Sequence, residues 1–357
     1  MTKIAMITDT HAGIRNDSMV FHDYMKKNYD WFFSIIDDQD IRTIVHLGDL
    51  FDRRKYVNYL TSKRIREDFL LQVENRNLDC HIIAGNHDVF YKNTNDINAL
   101  SEMVTGRYKG INTYINATEI NVNGTDILLL PWISDDNHEQ SYKLIENSKC
   151  DVVMGHLELN GFEMFKGTVS NHGVDRKVYD KFDLVFSGHY HHKSSAKNIH
   201  YIGAFAEFIW SDYNDPRGFT IFDTNTRKFE FYQSPYNIFQ MIVYDDVKTK
   251  DILNEINKTD YSKYSNVYVK VICINRTNPY AFDTLIDKIH TVSPIDISII
   301  EDVSFLDESE DIVEGIQDTR SIIDAYINNL TLPVDNDKMK KFMRDIYTEA
   351  VSLKHIE

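Results

Sequence analysis

The sequence holds little that would suit it to an oxidising compartment or a membrane. Its 357 residues include three cysteines. Cys80, Cys150 and Cys273 are odd in number and widely spaced, so they form no disulfide framework, zinc motif or redox motif, and a reducing cytoplasmic setting is expected. No apolar run approaches membrane-spanning length, and one of the longest, Ile127–Ile133, contains Pro131. A cleavable leader is not expected, because Asp9 and His11 sit where its apolar region would continue. There is no internal repeat or low-complexity tract. Positive charge is also scarce: 39 basic against 55 acidic residues leave a net charge of −16. That argues against a chain whose whole surface grips nucleic acid. A local phosphate site remains open, since metal ions add positive charge where they bind.

What is present is a repeated arrangement of short apolar runs that end in metal-ligand residue types. Thr43–Leu47 runs into Gly48-Asp49-Leu50-Phe51-Asp52, and Ile4–Thr8 runs into Asp9-Thr10-His11. Cys80–Ala84 leads to Gly85-Asn86-His87-Asp88, Asp151–Met154 to Gly155-His156, and Asp183–Ser187 to Gly188-His189-Tyr190-His191. Each run reads as a buried strand. Singly, each motif has a structural explanation in turn chemistry. Five strands that deliver Asp, Asn or His at the same end instead point to one metal site, with Asp49 as its shared carboxylate.

Mixed carboxylate, amide and imidazole donors suit manganese, iron or zinc, and magnesium less well. Two ions bridged by a carboxylate are a usual arrangement for phosphoester hydrolysis. His87 follows a ligand residue and points away from it, which makes it the candidate imidazole for protonating a leaving oxygen.

The rest of the chain reads as alternating helices and strands. Helices are expected over 20–38, 58–76, 96–104 and 138–147, and residues 113–130 read as a hairpin around Asn123-Gly124 that feeds a second sheet. Beyond Ser234-Pro235 the pattern is strand (240–244), helix (250–257), strand (266–274), helix (281–291) and strand (296–303). An acidic stretch follows (Glu301, Asp302, Asp307, Glu308, Glu310, Asp311), then two amphipathic helices at about 312–329 and 336–353. The expected domains are 1–235, carrying the site; 236–303, a small α+β module; and 304–357, a linker with a helical segment.

The motifs Asp-x-His, Gly-Asp-x-x-Asp, Gly-Asn-His-Asp, Gly-His and Gly-His-x-His, in this order over residues 9–191, resemble the calcineurin-like metallophosphoesterase superfamily. Gly48–Arg53, Gly155–Gly161 and Asn214–Phe219 resemble more narrowly its SbcD-type DNA repair nucleases, including the recombination nuclease subunits of T-even phages. The resemblance implies an α/β two-sheet sandwich with helices outside, a small α+β capping domain that contacts DNA, and a C-terminal helical segment. It implies a manganese-dependent DNA exo- or endonuclease working in the cytoplasm (that of a host, if phage-encoded) with an SMC-like ATPase. One ion would take Asp9, His11, Asp49 and His191; the other would take Asp49, Asn86, His156 and His189. His87 would be catalytic. Relatives often carry His where this chain has Asp52; Asp52, Arg53 and His172 are expected near substrate, although a turn role suits His172 better. His192 is expected to be a bystander.

Relatives pair through helices corresponding to 58–76 and 93–104, which nominates Tyr59, Leu60, Phe69, Leu70, Ile97 and Leu100 for a homodimer. The tail helices would bind the ATPase through Ile323, Tyr326, Phe342 and Ile346. A phosphomonoesterase or cyclic-nucleotide phosphodiesterase would need the same ligands and no tail. A catalytically dead scaffold is disfavoured, because no ligand position is lost.

Overall fold

The structure, a computed structural model, describes residues 2–170 and 172–301, together with residues 327, 335, 336, 338–340, 342 and 343. It divides into two units. One comprises Met1–Phe208 and Asn214–Tyr236, and the other takes Ile209–Tyr213 and the chain from Asn237.

The first unit contains two six-stranded sheets. β1 (Lys3–Ile7), β2 (Thr43–His46), β3 (Asp79–Ile83) and β4 (Ile111–Tyr114) are parallel neighbours in the first sheet. The second sheet starts with the hairpin β5 (Thr118–Val122) and β6 (Thr125–Leu130), then adds β7 (Val152–His156) parallel to β6. A small pair, β8 (Glu163–Phe165) and β9 (Thr168–Val169), stands apart. β10 (Leu184–Gly188) returns parallel to β7, followed by β11 (Ser194–Ala196) and β12 (Ile199–Tyr201). β13 (Gly218–Asp223) and β14 (Phe229–Gln233) go back to the first sheet, giving the orders β14-β13-β1-β2-β3-β4 and β11-β12-β10-β7-β6-β5.

Between the sheets lies a buried cluster. Ile4, Met6, Val45, Leu47 and Ile83 of the first sheet or its margins meet Ile127, Leu129, Val152, Met154 and Phe186 of the second. These strands are buried on both faces, which is why they read as continuous apolar runs and not as alternating ones. Helices cover the outside: in Met19–Asp38, Phe32 packs edge-on against Phe219 of β13 with ring centroids 4.9 Å apart. Because β1, β2 and β3 run parallel, as do β7 and β10, each sheet gathers its strand C-termini along one edge.

The α/β sandwich expected from the sequence is therefore present, with local departures. Residues 111–114 pair with β3, so the hairpin that opens the second sheet is confined to residues 118–130. The helix expected over 58–76 is interrupted by a π turn at Arg66–Leu70. Of the apolar residues nominated for pairing, Phe69, Leu70 and Leu100 are buried within the chain's own core, and Phe69 lies 5.3 Å from Tyr29, centroid to centroid. Tyr59 and Ile97 are exposed.

The second unit has three parallel strands in the order β15 (Phe239–Asp245), β16 (Tyr268–Asn275) and β17 (Asp296–Ile300). Helices Ile252–Lys258 and Pro279–Thr291 pack Ile256, Phe282, Leu285 and Ile289 on Tyr244, Val269 and Val271. Ile323, Tyr326 and Ile346, nominated for partner binding, lie outside the described residues; Phe342 is described and exposed. Among the described residues, no helix is long and apolar enough to cross a membrane.

Candidate metal centre

Asp9, His11, Asp49, Asn86, His156, His189 and His191 all lie at the strand ends of the first unit. Asp9 and His11 follow β1, Asp49 follows β2, Asn86 follows β3, His156 ends β7, and His189 and His191 follow β10. The turns that deliver them are held by the backbone: the Asp9 N–H donates to the Gly48 carbonyl at 3.0 Å and the His11 N–H to the Asp49 carbonyl at 3.1 Å. Asp9, His11, Asp49 and His189 all have positive φ, between 44° and 87°. Non-glycine residues in this region cost about 1–3 kcal/mol each, and such strain concentrates at functional sites.

The glycines before the ligands serve mainly as space. A Cβ on Gly48 would lie 2.5 Å from His156 Nδ1. One on Gly85 would overlap the Asp49 carboxylate, and one on Gly188 would overlap the Thr8 hydroxyl. Only Gly48 among these three also needs its positive φ of 95°.

The donor atoms converge in overlapping groups. Asp9, His11 and His191 offer atoms within 4.8 Å of one another, as do Asp9, Asp49 and His156, and also His11, Asp52 and His87. The Nε2 atoms of His11 and His191 face each other at 3.1 Å. The Asn86 side-chain carbonyl receives both His156 Nε2 and His189 Nδ1 at 2.9 Å, and His156 Nε2 lies 3.4 Å from the Asp49 carboxylate. The carboxylates of Asp9 and Asp49 are buried, and buried carboxylates without a cationic partner are costly. This donor set fits divalent cations.

Electrostatics agree. Burial pushes the His11 and His156 imidazoles down, but the carboxylates around them overcome it and raise both to about 9. For His11 the opposing groups are chiefly Asp52 and Asp49; for His156 Asp49 leads. At His189 burial, helped by the charge of His156, outweighs Asp49, and the imidazole falls to about 3. Asp49 is held well below the usual carboxylate range against the cost of its burial, with His156 and His87 as the leading favourable charges.

The surrounding residues fix the imidazoles. His156 Nδ1 donates to the Leu47 carbonyl at 2.8 Å, leaving Nε2 for an ion. His87 donates its backbone N–H to Asp49 Oδ1 at 2.7 Å and Nδ1–H to the Asp52 carbonyl at 2.6 Å, which leaves Nε2 as its uncommitted nitrogen. Asp52 is buried, with its carboxylate 3.3 Å from His11 Nδ1. Asp52 therefore stands beside a candidate ligand, His11.

Arg53 is likewise engaged elsewhere: it donates to Asp17 and Asn16 at 2.7 Å each and stacks over Tyr56. His172 is exposed, and its N–H donates to the Ser170 hydroxyl at 3.1 Å, as suits a turn histidine. His192 is more than a bystander, since Nδ1 meets Asp215 at 2.9 Å and Nε2 lies 3.4 Å from Glu163.

Three neighbours escaped the sequence reading. Thr8 donates to Asp9 Oδ2 at 2.7 Å. Trp132 stands 5.3 Å from His189 and Phe208 stands 5.5 Å from His11, centroid to centroid. Trp132 follows β6, which is parallel to β7, so the strand-end logic that located the ligands would have located it as well.

Residues 2–193 match the model of the calcineurin-like phosphoesterases. The chain belongs to that family. Membership of this phosphoesterase family implies divalent metal ions, and the groups described above are candidates to hold them. Among curated relatives, Exonuclease subunit 1 of Enterobacteria phage T4 is 29% identical over 355 residues, spanning 98% of this chain and 99% of the relative. The SbcD subunit of the nuclease SbcCD of Staphylococcus epidermidis is 25% identical, spanning 96% and 98%. Among solved structures, an archaeal phosphodiesterase overlaps 65% of this chain and 99% of its own with a TM-score of 0.32 and 14% identity.

Proposed function

We propose that this phosphoesterase is the nuclease subunit of a DNA end-processing complex and hydrolyses phosphodiester bonds with two divalent ions, manganese supporting activity. The observation that carries this reading is the length of the similarity. Relatives named as an exonuclease subunit and a nuclease subunit align with nearly the whole chain, well beyond the phosphoesterase match that ends at residue 193.

In this reading Asp9, His11, Asp49 and His191 hold one ion, and Asp49, Asn86, His156 and His189 hold the other. Bound divalent ions supply Lewis acidity at the phosphoryl oxygens and a water acidic enough to ionise near neutral pH. The chain's own residues do the rest. Asp49, fixed by the His87 N–H, sets the spacing of the two ligand groups. His87 presents Nε2 to the substrate, because Nδ1–H is committed to the Asp52 carbonyl. Burial lowers its pKa while Asp49 opposes that shift. An arriving phosphate adds negative charge and favours the imidazolium, which can then protonate the leaving oxygen. Trp132 and Phe208 border the imidazoles with apolar surface.

The word "subunit" in both relatives' names supports a partner, and the reading assigns an SMC-like ATPase to the segment 312–357. Pairing of two copies is assigned to the exposed Tyr59 with its neighbour Leu60.

The deciding experiment compares linear DNA with a phosphomonoester, with manganese, with and without the ATPase. Degradation of DNA with little monoester turnover is expected. Efficient monoester turnover without DNA cleavage would replace the nuclease with a phosphatase. Deleting 312–357 should spare manganese-dependent cleavage of simple DNA and abolish ATPase association. Retained association would place docking elsewhere.

A further inference from the structure

We propose that a groove walled by Arg54 binds the phosphate backbone of the substrate strand beside the bond being cut. The proposal rests on the nuclease reading and assigns that site a second anchoring point.

The groove has a volume of about 170 Å³ and is lined by residues 53–57, with Arg54 and Lys55 among them, and by Phe90, Ile97, Met103 and one carboxylate, Glu102. Both walls are continuations of ligand loops. The first follows Gly48–Asp52 and the second follows Gly85–Asp88. Asp88 ties those loops together, receiving the Gly85 N–H at 2.8 Å and the Phe51 N–H at 2.9 Å. The groove is therefore fixed relative to Asp49 and His87 by a buried carboxylate.

Arg54 is the unexplained group in it. Its neighbour Arg53 is neutralised by Asp17. Among the described residues Arg54 has no ion pair, and its Nη1 is buried without a hydrogen-bond partner. Leaving a guanidinium partly desolvated and unpaired is costly, and an incoming anion would remove that cost. The planar fork of a guanidinium matches phosphate oxygens, so a phosphodiester is a better occupant than an apolar peptide. Lys55, exposed beside it, adds a second cation in a chain whose net charge is −16. Tyr56, 47% exposed, carries Arg53 on one ring face and leaves part of its ring to solvent, where sugars and bases can stack.

The test uses the full chain with Arg54→Ala and Arg54→Lys. Binding of a labelled single-stranded oligonucleotide is followed by anisotropy over a salt series, alongside hydrolysis of DNA and of bis(p-nitrophenyl) phosphate with manganese. Arg54→Ala should weaken oligonucleotide binding on the order of tenfold and make the log-log salt slope shallower by about 0.7, the value for one lost phosphate contact on a single strand. Arg54→Lys should recover part of the loss. Turnover of the small diester, which is too short to span the groove, should fall far less than that of DNA. Unchanged binding and salt slope in Arg54→Ala would overturn the proposal. So would an equal loss on the small diester, or a changed oligomeric state, which would make the groove an interface between copies. Failure of the nuclease reading looks different: the unaltered chain would bind the oligonucleotide yet cut no DNA, and the Arg54 dependence of binding would still decide the groove. An unaltered chain that binds no oligonucleotide would overturn both.

Discussion

The carboxylate of Asp52 stands 3.3 Å from His11 Nδ1, on the opposite side of the ring from the nitrogen that meets His191. One residue thereby bears on two imidazoles, as a counter-charge beside His11 and as the carbonyl that receives His87 Nδ1–H. A carboxylate behind a metal-binding histidine fixes the tautomer and raises the ligand's basicity. Asp52→Ala should weaken manganese binding by roughly 10–100-fold, the usual effect of losing such a partner. Titration calorimetry checks it. Unchanged affinity with a raised KM for DNA would return Asp52 to a substrate-contacting role.

His87 should separate chemistry from binding. It contributes its backbone N–H to Asp49, and this survives substitution, while its ring packs edge-on against His11 with centroids 4.9 Å apart. His87→Ala is expected to keep bound metal and oligonucleotide affinity while losing on the order of 10²–10⁴-fold in kcat, as for a general acid. Elemental analysis and single-turnover cleavage test this together. Loss of metal in the variant would make His87 a ligand or a structural residue.

Metal loading should depend on pH with a definite sign. Without ions, His11 and His156 are raised to about 9 and so carry protons at neutral pH, whereas His189 at about 3 does not. An ion needs the neutral imidazole, so it must displace those protons. Apparent affinity should rise with pH toward about 9. Calorimetry at pH 7 in buffers of different ionisation enthalpy should register proton release. A binding heat independent of buffer would show that the two imidazoles are already neutral.

The convergence of the candidate ligands was legible in the sequence because a parallel sheet converts position along the chain into position in space. Each apolar run ends at the same edge, so Asp9, Asp49, Asn86, His156 and His189 are brought together by topology alone. What escaped was whatever depends on side-chain direction across elements. Nothing in the run Gly48–Arg53 distinguishes a carboxylate that faces substrate from one that faces His11, and Arg53 gives no sign that Asp17 will claim it. The π turn at Arg66–Leu70 was hidden for a similar reason, since its residues suit an ordinary helix. Phe69, Leu70 and Leu100 read as surface candidates because helix amphipathicity shows that a face is apolar without showing what covers it.

Gly85 offers a test of the site that leaves the fold largely alone. Its φ is not in the left-handed region, so alanine can adopt its backbone without strain. The added Cβ would instead meet the side chain and backbone N of Asp49. Overpacking of this kind costs typically 1–3 kcal/mol, and here the displaced group is the carboxylate shared by both proposed ions. Gly124→Ala is the complementary control. Nothing lies near its Cβ, but its φ of 82° makes alanine unfavourable by about 1–2 kcal/mol. The two variants should therefore show a similar modest fall in Tm with opposite functional results. Gly85→Ala should lose manganese content and nuclease activity together, whereas Gly124→Ala should keep both. A Gly85→Ala protein that loads manganese normally and cleaves DNA at the unaltered rate would show that Asp49 does not depend on the space this glycine leaves.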